Sequence, residues 1–141
     1  TLYCCSTYGP VPIGQVSTLS GVPFFSITSA YSADRIEAKS IPQCARNAGV
    51  ADSARYSKTV AVMHVKPYDD QFNNNVARLF HAEIKKFPSL QFALHAHNHK
   101  LQTTDVFKDG IIYYGCASMK QRNYMVFTLT TNGYSYEVVN Y

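Results

Sequence analysis

The stretch from residue 59 to residue 96 constrains this chain most. Thr59-Val60-Ala61-Val62-Met63-His64-Val65 is a short apolar run, and Leu90-Gln91-Phe92-Ala93-Leu94-His95-Ala96 is a second. Such runs are what strands buried on both faces use. Between them, Val76, Leu79, Phe80, Ile84 and Phe87 recur at helical spacing on one face, while Arg78, Lys85 and Lys86 lie elsewhere. The spacing predicts a helix over 72–87, preceded by a polar loop with Pro67, Asp69 and Asp70, either Asp a candidate cap. Pro88 forces the helix to end. Strand, helix and strand over this length predict a right-handed parallel crossover.

The texture changes on either side. Lys108-Asp109-Gly110 and Thr131-Asn132-Gly133 are hairpin-type turns between β-rich runs. They predict strands over 102–107, 111–116, 124–130 and 135–139, an antiparallel meander appended to the parallel unit. The expected fold class is therefore α/β, or mixed α+β. Residues 1–57 are rich in Ser, Thr, Gly, Pro and Ala and have no acidic residue before Asp34. Pro10, Pro12 and Pro23 favour extended segments there. One strand is predicted over 22–28, near an edge because of Pro23, with short helices over 33–39 and 44–56. This segment is expected to belong to the same domain as 58–141.

Several function classes drop out. No apolar run nears the ~20 residues of a membrane span. The net charge of +4 is mild and Lys85-Lys86 is the only adjacent basic pair, so no nucleic-acid stripe is present. Cys4, Cys5, Cys44 and Cys116 contain no C-x-x-C pair, which reads as buried or free thiols in a reducing compartment and slightly favours the cytoplasm. The chain opens with Thr1 rather than Met, as a processed product or a piece of something longer does.

The chemistry lies in the histidines. Four of the five, His64, His95, His97 and His99, sit at the C-terminal ends of the two predicted parallel strands, the edge where ligands bind in open α/β sheets. His97 and His99, two residues apart, would face one side of an extended segment. Imidazole suits zinc, manganese, iron and nickel alike, so spacing does not choose the ion. His64, His97 and His99 are the candidate ligands. His95 is still within its strand and suits a supporting role behind them. His81, in mid-helix, reads as structural. Lys66, Tyr68, Arg122 and Asn123 are lesser candidates for phosphate contact, and solvated loop positions explain them as well.

In order and spacing, residues 58–141 resemble the C-terminal half of the calcineurin-like metallophosphoesterases. That family carries an apolar strand ending in a lone His, here Val60-Ala61-Val62-Met63-His64, then a helix and a strand ending in Gly-His-x-His, here Ala96-His97-Asn98-His99. Lys108-Asp109-Gly110 and Gly115-Cys116-Ala117-Ser118 fit the turn and small-residue segment that follow. The resemblance implies the second half of a four-layer sandwich and a binuclear centre of two divalent transition-metal ions. His64 and His97 would hold one ion and His99 the other, and all three would be catalytic in phosphoester hydrolysis. The family's first-half motifs have no counterpart: the chain has no Asp-x-His, no Gly-Asp, and no Asn-His before Asn98-His99. The resemblance therefore implies a phosphoester substrate and a missing N-terminal half or another chain as partner. The rivals are a catalytically inactive binding or assembly module that retains the half-fold, and a mononuclear His-site metal protein.

Overall fold

The computed structural model describes residues 2–4, 16–19, 22–25, 58–87 and 89–141. Its strands there are β1 (Leu2–Cys4), β2 (Val16–Leu19), β3 (Val22–Phe25), β4 (Thr59–Val62), β5 (Leu90–His95), β6 (Gln102–Asp105), β7 (Ile112–Gly115), β8 (Asn123–Thr130) and β9 (Gly133–Asn140), with one α-helix, α1 (Ala77–Lys85). The fold is mixed α/β. The helices expected over 33–39 and 44–56, the end of the strand expected over 22–28, and Thr1 lie outside the described residues. β2 and β3 form an antiparallel pair with Pro23 opposite Thr18.

The parallel strand–helix–strand unit is present: β4 and β5 are parallel, with Val60 opposite Phe92 and Val62 opposite Leu94, and α1 lies between them in the chain. β7 joins β5 in parallel and β6 joins β7 antiparallel, giving the order β4-β5-β7-β6. Alternation along each strand then sorts the side chains. Val60, Phe92, Leu94, Tyr114 and Cys116 form one cluster with Met125 and Phe127 of β8. Ala61, Met63, Ala93 and Tyr113 form another with Ile84 of α1. The four-stranded sheet is thus covered by a helix on one face and by a second sheet, ordered β1-β8-β9, on the other. Burial on both faces is why β4 and the Phe92–Leu94 stretch of β5 read as apolar runs, whereas β6 at the sheet edge is polar and partly exposed.

Four local expectations are corrected. The strands after residue 100 do not form one meander. β6 and β7 extend the parallel sheet, whereas β8 and β9 pair in the second sheet, because Gly115–Ser118 and a 3-10 turn at Met119–Gln121 carry the chain from one layer to the other. The helix begins at Ala77 rather than 72, with a 3-10 turn at Asn74–Val76 before it, and no side chain caps it, so neither Asp69 nor Asp70 does. Its buried face carries Ala77, His81 and Ile84, while Leu79 is 48% exposed.

Two further features shape the core. A Cβ on Gly115 would lie 2.9 Å from both the His95 ring and the Lys100 carbonyl oxygen, so close approach of chain to chain requires glycine there. Cys116 is disulfide-bonded, which corrects the reading of it as a free thiol; its partner lies outside the described side chains.

Candidate functional site

Parallel pairing sends the ends of β4 and β5 to the same sheet edge. The chain beyond them is knitted together there. The His64 carbonyl accepts the N–H groups of Ala96 at 3.1 Å and His97 at 2.9 Å. The second segment is not extended, as expected from spacing, but turns: the His99 N–H donates to the Ala96 carbonyl at 3.1 Å, and His99 has φ 52°. His97 and His99 therefore leave a turn rather than one face of a strand.

That turn brings His97 against His64. His97 Nδ1 lies 3.3 Å from His64 Nε2, with the rings nearly perpendicular at 77°. Without a cation one nitrogen donates its proton to the other. Two nitrogens bound tetrahedrally to one ion at 2.0–2.1 Å would stand about 3.3–3.4 Å apart. The pair therefore fits one transition-metal ion. Burial, followed by the nearby His97 and His99, holds His64 below the usual histidine pKa, favouring the neutral form that ligates metal. A binuclear centre is not completed by the described residues: the grouping of three potential ligands among them is Asp69, Asp70 and His97, which includes neither His64 nor His99. His99 is electrostatically close to His64, and its carbonyl accepts a hydrogen bond from Gln121 Nε2.

The loop after His64 adds groups that sequence reasoning treated only as helix caps. Asp69, Asp70 and His97 bring one potential ligand atom each to within 4.8 Å of one another. Asp69 is largely committed elsewhere: it accepts the Asp70 N–H at 2.9 Å and Asn98 Nδ2 at 2.7 Å, with Lys66 Nζ at 3.8 Å. Burial opposes its ionisation, but the hydrogen bonds from Asp70 and Asn98 outweigh it and hold its carboxyl below the usual range. Asp70 is exposed, with Oδ1 3.8 Å from His97 Nε2. The readable signal was an acidic pair five and six residues after a strand-end histidine.

The remaining candidates divide. His95 is buried, and among the described residues neither ring nitrogen has a hydrogen-bond partner, so it supports none of the three histidines through a hydrogen bond. Burial, reinforced by Lys66, pushes it down to about 4. His81 is structural as expected: Nε2 meets Asp109 Oδ2 at 2.8 Å, Nδ1 meets the Tyr113 hydroxyl at 2.9 Å, and the ring stacks on Phe107. Arg122 donates from Nε to the Tyr141 carbonyl at 2.7 Å, and Asn123 is buried. Tyr68 is exposed with its ring against Phe107.

The fold defines a mixed α/β protein with a histidine cluster at one sheet edge. No family model matches the chain, and no curated protein matches it. Ten chains of solved structures do. One is described as "GAP50 the anchor in the inner membrane complex of Plasmodium", with 13% identity and a TM-score of 0.60 over 90% of this chain and 49% of that one. The chain thus spans about half the length of that structure. At this identity the likeness concerns the fold.

Proposed function

We propose that the chain supplies the C-terminal half of a metallophosphoesterase-type site for metal-dependent hydrolysis of a phosphoester. The observation that carries this reading is the 3.3 Å approach of His64 Nε2 and His97 Nδ1 at the sheet edge. These two imidazoles would hold one divalent transition-metal ion, and His99 would serve a second whose carboxylate ligands come from outside the described residues. When bound, such ions polarise the phosphoryl group and lower the pKa of water. The chain's own residues orient the ligands: Asn98 fixes the turn between His97 and His99, and the His64 carbonyl ties that turn to β4. The disulfide at Cys116 supports an oxidising compartment in place of the cytoplasm.

Metal content and hydrolysis of bis-p-nitrophenyl phosphate, measured on the purified protein, test the reading. Combined with the segment or chain that supplies the second ion's carboxylate ligands, the metal-loaded protein should turn over the diester, and His97→Ala should slow it by about 10²-fold or more. Unchanged turnover in that variant would count decisively against the proposal.

A second reading is an inactive assembly module. Tyr136 and Val138 are exposed on β9, an edge strand of its sheet among the described residues, and an exposed apolar edge invites association. The description of the GAP50 structure as an anchor supports the same reading. Absence of bound metal and of turnover, with self-association or partner capture lost in Tyr136→Lys, would favour it.

A further inference from the structure

His97 meets a different neighbour on each side of its ring: Nδ1 faces His64, and Nε2 faces Asp70. A neutral imidazole carries one proton, so the side that holds it decides which nitrogen offers a lone pair. Metal-bound histidines usually donate the other N–H to a carboxylate or carbonyl, which fixes the tautomer and raises ligand basicity. Asp70 stands on that other side, with Oδ1 3.8 Å from Nε2. Its side chain is 81% exposed, so rotation can shorten the gap without disturbing packing.

The loop that carries Asp70 is built rather than loose. Asp69 accepts the Asp70 N–H and Asn98 Nδ2, tying the loop to the turn that bears His97. Asn74 braces the same loop from the far side, accepting the Tyr68 N–H at 2.8 Å and donating to the Asp69 carbonyl at 3.0 Å. Tyr68 takes a left-handed φ of 64° to make this turn. With both its oxygens engaged in this way, Asp69 anchors the loop and Asp70 is left to face the histidine.

We propose that Asp70 is a positioning residue: it takes the Nε2–H of His97, so that Nδ1 presents its lone pair beside His64 Nε2 to a single divalent transition-metal ion. This deepens the histidine-site reading and rests on it. In the metal-free protein, His64 Nε2–H then donates to His97 Nδ1. With an ion held there, His64 would carry its single proton on Nδ1, the Nε2 proton being exchanged to Nδ1 through solvent, so that Nε2 would offer its lone pair. Net charge on the two rings does not change.

Cobalt(II) titration followed by its visible absorption, together with 15N NMR of the histidine rings in the metal-free protein, tests this on the whole chain. Wild type should bind one equivalent and show His97 protonated at Nε2. Asp70→Ala should weaken cobalt binding by about 10–100-fold and mix the His97 tautomers, while Asp70→Glu should restore most of both. A merely structural role for Asp70 would leave the tautomer signal unmoved. Equal affinity in Asp70→Ala, or a wild-type His97 proton on Nδ1, overturns the assignment of Asp70. If His97→Ala then still abolishes binding, the histidine site survives that failure. No cobalt bound by wild type, or undiminished binding by His97→Ala, removes both.

Discussion

Asp109 lies in the turn between β6 and β7, where one carboxylate oxygen meets His81 Nε2 at 2.8 Å and Lys85 Nζ at 2.6 Å. Burial opposes its ionisation, but hydrogen bonds from His81 and Lys85 prevail and hold it down to about 2. A depressed folded pKa means stability that is full above the unfolded value near 3.8 and is lost as pH falls towards 2. Asp109→Asn should therefore lower the urea midpoint at pH 6 by an amount worth about 1–2 kcal/mol. The gap to wild type should close between pH 3.8 and 2; a gap independent of pH would contradict this. Gly115 is the second telling residue. Its absent Cβ leaves room for the His95 ring and the Lys100 carbonyl, and the carbonyl is backbone that yields poorly. Gly115→Ala should cost about 1–3 kcal/mol in thermal or urea unfolding, and a neutral result would show that the strands separate easily.

At the scale of elements, α1 separates what pattern reveals from what it does not. Helical spacing identified the helix, and Ile84 is fully buried in the cluster formed with Met63, Ala93 and Tyr113. The same spacing assigned Leu79 to the inner face, yet the helix is rotated so that Ala77 and His81 are buried instead. The reason lies outside the helix: His81 is drawn inward by Asp109 and Tyr113, whose positions depend on the distant β6–β7 hairpin. Ile84→Ala should therefore cost about 2–5 kcal/mol and Leu79→Ala less than about 0.5 kcal/mol. Similar losses on chemical denaturation would mean that the faces are assigned wrongly. The site was legible to a similar depth. Strand-end histidines stood out at His64 and His97, but Asp70 did not, because its relation to His97 exists only once two loops from parallel strands meet.

Across the whole molecule, the two sheets share one buried cluster, and Cys116 within it is disulfide-bonded. An ion that binds only the folded site should stabilise both sheets, by about 2.7 kcal/mol at a concentration a hundredfold above its Kd. Zinc should therefore raise the unfolding temperature, EDTA should reverse the rise, and His64→Ala should abolish it. A zinc-dependent rise that persists in His64→Ala would locate the stabilising ion elsewhere.

Local sequence determined the elements: short apolar runs made β4 and β5 buried strands, periodic apolar residues made α1, and glycine turns marked the later hairpins. These follow from side-chain alternation and hydrogen bonding over neighbouring residues. Which layer β8 and β9 joined, which face α1 buried, and which nitrogen of His97 meets His64 were decided by contacts between segments far apart in the chain. Local pattern carries no information about such contacts, since they arise only when packing brings the segments together.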